Sequence, residues 1–196
     1  INELLEYEKV QNGLYIVATP IGNLGDITIR SLKVLSCVDL ILCEDTRISK
    51  KLTNKYGIKT QLKPFHKFNS KDSIPSIIKK LQAGFSIAII SDAGTPIISD
   101  PGSDLIKICD EKKINVFSLP GPSATISSYV LSSFAQKSFM FRSFFPRHKK
   151  EALKELDLIK KLESAVIYFE SPHRILQTLN FINDHYGNCE ITFVRE

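Results

Sequence analysis

Four polar runs carry side chains able to do chemistry, and each follows an apolar run. They are Thr19-Pro20-Ile21-Gly22-Asn23-Leu24-Gly25-Asp26, Glu44-Asp45-Thr46-Arg47, Ser91-Asp92-Ala93-Gly94-Thr95-Pro96-Ile97-Ile98-Ser99-Asp100-Pro101-Gly102, and Glu170-Ser171-Pro172-His173-Arg174. Neighbouring carboxylates beside an arginine can accept a proton and hold an anion. A plainer reading of Glu44 to Arg47 is a helix start, where acids favour the dipole and Arg47 pairs with them. In the third run Gly94 permits backbone angles closed to other residues, while Pro96 and Pro101 each fix one angle and remove a donor. A loop this stiff at the carboxyl end of a buried strand is where open α/β sheets place ligands. A tight structural turn is the alternative.

The elements that must position these runs follow from periodicity. Ile87 to Ile90, apolar without interruption, reads as a strand buried on both faces. Gly13 to Ala18 and Leu40 to Cys43 read as two further strands, Thr60 to Phe65 as a weaker one, and Asn115 to Leu119 as a fifth. Between them the spacing predicts a helix capped by Asp26, with Ile29, Leu32, Leu35 and Val38 on one face. Others run from Glu44 to Tyr56, from near Ser73-Ile74-Pro75 to Gly84, and from Ser103 to Lys112. Alternating strand and helix is the pattern of a mostly parallel sheet covered by helices. The carboxyl ends of its strands lie along one edge, so the first three polar runs should converge there.

Pro120-Gly121-Pro122 breaks the alternation and sets an expected boundary between an N-terminal α/β domain (1–119) and a C-terminal α/β domain (120–196). The second contains a helix from Ser123 to Phe134, a strand from Ser138 to Phe144, a helix from Lys149 to Leu162 and a strand from Ala165 to Phe169. A helix opened by Glu170 to Arg174 and a last strand from Glu190 to Arg195 complete it. Because the chain stops inside that strand and its single Met is Met140, it is expected to be part of a longer protein, with the second domain incomplete.

Composition narrows the function classes. No apolar run is long enough to span a bilayer, and no basic-then-apolar leader opens the chain, so a cytoplasmic protein without membrane attachment is expected. Cys37, Cys43, Cys109 and Cys189 lack metal or redox spacing, three of them sit among apolar residues, and they read as small core residues in a reducing compartment. His66, His148, His173 and His185 have no companions at ligand spacing, so no metal site is expected. The net charge of +5 permits a nucleic-acid partner without requiring one. Arg142, Arg147, His148, Lys149 and Lys150 form the densest basic cluster read from the sequence, either an RNA backbone contact or a solvated helix face. Gly22 and Gly25 do not make a dinucleotide fingerprint, Gly94-Thr95-Pro96 is not a phosphate loop of the Walker type, and no serine sits in a nucleophile elbow.

Taken in order, the four runs together with Leu119-Pro120-Gly121-Pro122-Ser123-Ala124 resemble those of the bacterial 16S ribosomal RNA methyltransferases that modify the ribose 2′-oxygen of a cytidine in the decoding centre. These belong to the tetrapyrrole methylase-like group of S-adenosylmethionine enzymes. The resemblance covers Gly13 to Glu196. It implies two α/β domains with the cofactor in the cleft between them, a homodimer, and 16S rRNA, in the small ribosomal subunit, as partner. It also implies a cofactor site drawn from Pro20, Asp92, Gly94, Thr95, Pro96, Ile97, Ile98, Asp100, Pro122, Ser123, Ala124, Phe169, Glu170 and Ser171. Where such proteins commonly carry Gly-Phe-Leu-Pro, this chain has Ser143-Phe144-Phe145-Pro146.

Methyl transfer from a sulfonium to a hydroxyl needs alignment and a proton acceptor and no metal. Glu44, Asp45 and Asp26 are the acids nearest the expected edge, and with Arg47 they form the candidate catalytic cluster. Arg30 and Asn23, with Arg147, Lys149, Lys150, His173 and Arg174, are the candidate RNA contacts. Two other functions fit parts of the pattern: a tetrapyrrole carbon methyltransferase, and a ribosome-binding module that kept the fold without the cofactor.

Overall fold

A computed structural model describes residues 10–135 and 138–195. Its backbone divides into two compact units, Ile1–Ser123 and Ala124–Glu196.

The first unit is built on a five-stranded parallel sheet of order β3-β2-β4-β1-β5. Its strands are β1 (Gly13–Val17), β2 (Leu40–Cys43), β3 (Leu62–Pro64), β4 (Ser86–Ile90) and β5 (Val116–Leu119), joined by α1 (Ile29–Cys37), α2 (Thr46–Lys55), α3 (Ser70–Gln82) and α4 (Ser103–Glu111). Side chains alternate between the sheet faces. Tyr15, Val17, Ile41, Cys43, Ala88 and Ile90 pack with α1 and α2 on one face. Leu14, Ile16, Leu40, Leu42, Ile87 and Ile89 pack with α3 and α4 on the other. β4 is buried along its whole length, as a strand covered on both faces must be.

The strand order explains the helix placement. The chain leaves β1 toward β2 and β3, then returns to insert β4 between β2 and β1, and passes on to β5. Right-handed crossovers running in opposite directions put their helices on opposite faces. The carboxyl ends of β1 and β4 therefore lie side by side where the winding direction reverses, the place such sheets reserve for ligands.

Several local expectations are corrected. Asp26 does not cap α1; it closes a 3-10 turn, Leu24–Asp26, and the Thr28 hydroxyl accepts the Ser31 N–H at 3.1 Å. With the helix starting there, the buried stripe is Leu32, Val34, Leu35 and Val38, and Ile29 is 55% exposed. α3 begins a turn before Ser73, with Pro75 inside it. Proline is tolerated in the early turns of a helix, so it is a weak start marker.

The second unit has two parallel strands, β6 (Phe139–Phe144) and β7 (Ala165–Phe169), with α5 (Ala124–Leu131), α6 (Lys149–Ile159) and α7 (Ile175–Tyr186). Its core is Phe145, Ala152 and Leu156, against Tyr168, Phe181 and Ile182. The Arg142 guanidinium donates to both Glu155 oxygens at 2.7 Å, and the Tyr168 hydroxyl joins at 2.6 Å. β6 and β7 lose register between Phe141 and Phe144, and there Ser143 adopts φ 62°. Glu190 to Arg195 is not a strand: it pairs with nothing in either sheet. Cys43 and Cys109 are buried, while Cys189 is exposed.

Candidate functional site

The three polar runs of the first unit meet at the sheet's carboxyl edge, joined by backbone and side-chain hydrogen bonds. Thr19 after β1 and Gly94 after β4 form an antiparallel bridge, each N–H donating to the other's carbonyl, at 2.9 and 3.0 Å. The buried Thr19 hydroxyl donates to the Ser91 carbonyl at 3.1 Å, and the Ser91 hydroxyl lies 3.1 Å from the Gly94 carbonyl. Thr95 Oγ1 donates to the Pro122 carbonyl at 3.2 Å, fixing the far side of the loop. After β2, the Asp45 N–H donates to Asp92 Oδ1 at 3.1 Å. Three separate strand ends are thus one assembly.

The β4 loop is held in conformations that sequence disfavours. Gly94 is buried at φ 81°, and a Cβ there would stand 3.3 Å from Ile21 Cγ2. Ile97 adopts φ 76° and Ser99 φ 70°. A β-branched residue at positive φ is a genuine outlier, and such strain persists where the surroundings over-determine it. Pro96 and Ile97 are the central residues of a tight turn, which is what holds Ile97 at positive φ. Pro20 and Pro96 are buried, and Ile98 is exposed.

The acids divide by environment. Asp45 caps α2 by accepting the Arg47 N–H at 2.8 Å, and the Arg47 guanidinium grips both its oxygens. That grip holds the Asp45 carboxyl down to about 2. Arg47 itself is 88% exposed. Glu44 is exposed at the residue level, but partial desolvation of its carboxyl raises it, and the nearby Asp92 charge raises it further. Burial likewise raises Asp92. Asp100 is pushed up to about 6 by burial, then by Glu44 and Asp92. Two adjacent carboxyls held apart in this way suit different proton-transfer roles. Among the described residues no group of three or more His, Cys, Asp or Glu is placed to hold a metal ion, and no helix is long and apolar enough to cross a membrane.

The family model of the tetrapyrrole (corrin/porphyrin) methylases matches residues 13–196. The chain belongs to this family. Among curated relatives, it is 48% identical to the ribosomal RNA small subunit methyltransferase I of Thermotoga maritima, over 93% of this chain and 82% of that protein. It is 42% identical to the Bacillus subtilis protein of the same name, over 93% of this chain but 63% of that protein. A solved structure of the same fold, a uroporphyrin-III-C-methyltransferase from Thermus thermophilus, aligns with a TM-score of 0.53 at 19% identity, over 67% of this chain and 60% of that one.

On this tetrapyrrole methylase fold the remaining expected site residues are dispersed. Asn23 accepts the Gly25 N–H at 2.9 Å, and Tyr56 from the end of α2 donates to the Leu24 carbonyl at 2.7 Å, tying down the β1 loop. Asp26 and Arg30 are exposed on that loop and on α1, and Ser123 closes the first unit. In the second unit Ala124 opens α5, and Phe169 at the end of β7 packs edge-on against Phe141. There Glu170 is occupied within the unit: it accepts the Ser171 N–H at 2.7 Å and the Thr178 hydroxyl at 2.6 Å, and pairs with Arg174 at 3.3 Å. His173, Arg147, Lys149 and Lys150 are exposed.

Two features escaped the sequence reading. His66 lies just past β3 on the same edge, near enough for its charge to lower the Glu44 carboxyl, and among the described residues its buried Nδ1 has no hydrogen-bond partner. Its place after a third strand end was the signal. The second corrects the location of the densest basic charge. Residues 46–71 hold eight Lys and Arg and no acid, against 26 basic and 21 acidic residues in the whole chain, so the rest of the chain is net acidic. The Lys149 region, interrupted by Glu151, Glu155 and Asp157, is more nearly balanced.

Proposed function

We propose that this protein transfers the methyl group of S-adenosylmethionine to the ribose 2′-oxygen of a cytidine in the decoding centre of 16S ribosomal RNA. It would act in the cytoplasm, as a homodimer, on the small ribosomal subunit. The observation carrying this reading is the welded edge of β1, β4 and β2, in a chain nearly half identical to a protein named as a small-subunit rRNA methyltransferase.

The edge fits the donor. A tight backbone loop at the winding reversal, with a buried glycine at positive φ, allows close approach of a ligand to the chain. We assign Pro20, Asp92, Gly94 to Ile98, Asp100, Pro122 and Ser123 to holding it. S-adenosylmethionine supplies a methyl group already activated on a sulfonium, leaving alignment and proton removal to the protein. Glu44 is the better proton acceptor, because its raised carboxyl is a stronger base than Asp45, held near 2 by Arg47. Asp45 orients the turn and Arg47 positions a phosphate.

The test is transfer of labelled methyl from S-adenosylmethionine by the full-length protein to purified small subunits and to naked 16S RNA. Label is expected in a cytidine ribose. Glu44→Gln should lower turnover by about 10²–10⁴-fold. Asp45→Asn, which preserves the cap, should cost less than about tenfold. Label in neither RNA, or in a tetrapyrrole carbon instead, overturns the reading.

A further inference from the structure

The acid-free segment does more than colour the surface. A groove of about 410 Å³ opens between α2 and the edge strand β3. Thr46, Lys50 and Asn54, four residues apart and therefore on one face of α2, form one wall. Thr60, Leu62 and Pro64 form the other. We propose that this groove holds the sugar–phosphate backbone of single-stranded RNA beside the nucleotide that is methylated. The inference rests on the rRNA reading above and names a substrate subsite for it.

Three observations carry it. The groove begins where the reactive edge ends: Thr46 follows Glu44 and Asp45 directly and lines the wall. Its chemistry suits a ribose phosphate chain. Lys50 supplies a cation for phosphate, and Asn54 an amide able to donate or accept. The Thr60 hydroxyl already donates to the Leu35 carbonyl at 2.7 Å, so its oxygen is left to accept a proton such as that of a ribose 2′-hydroxyl. Finally, the segment that supplies both walls, within residues 46–71, carries eight cations and no acid, and Lys50 is the one of them that lines the groove. An aromatic follows as well: Phe68, four residues past Pro64, is 91% exposed, a position from which a base could be stacked.

The test compares two adjacent lysines in the full-length protein. Lys50 lines the groove; Lys51, one residue on, points about 100° away around the helix and carries the same charge. Both are exposed, so neither substitution threatens folding. Binding of a fluorescein-labelled single-stranded RNA of about ten nucleotides is followed by anisotropy across a salt series. Lys50→Gln should weaken binding about fivefold at 0.1 M salt and reduce the salt slope by about 0.7, the signature of one lost phosphate contact on a single strand. Lys51→Gln should change affinity by less than about twofold, and S-adenosylmethionine binding by calorimetry should be the same in all three proteins. Equal losses for the two variants, or none for either, overturn the groove as a subsite. Donor binding without RNA binding in the unmodified protein removes the groove and leaves methyl transfer standing; failure to bind either ligand removes both. Poly-glutamate binding that depends on Lys50, with RNA left unbound, assigns the groove to an acidic protein instead.

Discussion

Gly94→Ala tests the donor loop most directly. The residue is buried at φ 81°, where an alanine costs about 1–2 kcal/mol in backbone strain. Its Cβ would also press on Ile21 Cγ2 at 3.3 Å, adding a few tenths of a kcal/mol unless Ile21 gives way. The chain cannot swing Gly94 aside freely, because both of its bridge hydrogen bonds to Thr19 would open. A loss near 2 kcal/mol corresponds to a fall in Tm of about 4–8 °C for a protein of this size. If the loop relieves the strain by moving, donor binding must drive it back, weakening affinity by about 5- to 30-fold. Scanning calorimetry reads the first quantity and titration with S-adenosylmethionine the second. Adding Ile21→Ala should recover only the small contact share, since the φ penalty remains. A Tm within about 1 °C of the unmodified protein would refute the strain argument. A lowered Tm with unchanged donor affinity would instead confine the loop to a structural role.

Two further outcomes follow from the described geometry. Asp100, raised to about 6, favours the folded state when protonated; that contribution is complete below its unfolded value of 3.8 and fades as pH rises through 6. Asp100→Asn should therefore match the unmodified protein near pH 4 and exceed it by about 1–1.5 kcal/mol at pH 8 after allowing for solvent screening, and urea titrations giving a pH-independent difference would contradict it. In the second unit, Ser143→Gly should be more stable than Ser143→Ala by about 1 kcal/mol in urea unfolding, because both lose the hydroxyl and only glycine accepts φ 62° without strain; equal stabilities would disprove the strain.

The sheet was legible because its three central strands, β1, β2 and β4, are apolar on both faces and its turns are punctuated by glycine and proline. Convergence of the first three polar runs followed from parallel strands alone. What could not be read was which strand lies beside which: β4 between β1 and β2 decides that Asp92 meets Asp45, and no local pattern encodes an insertion from so far along the chain. Helix starts slipped where two candidate caps competed, Asp26 against Thr28, or where an early proline passed for a first residue, as at Pro75. Glu190 to Arg195 has the composition of a strand and no neighbour to pair with, and a strand exists only with its partner. His66 has no companion at ligand spacing in the sequence; its position after β3 is what brings it to Glu44.

The late arrival of β4 also governs how the protein is made. Gly13 pairs with Ser86 and Leu14 with Val116, so the earliest strand has no hydrogen-bonded neighbour until most of the first unit has been synthesised. During translation only β2 and β3 can zip together, and β1 waits as an open ladder dependent on a distant segment. When β4 slots in, it closes the core and draws the loop that follows it against Thr19 in one stroke. A shortened chain ending before Ile90 would thus lose the carboxyl edge and its fold together, with no partly built, inert scaffold left in between.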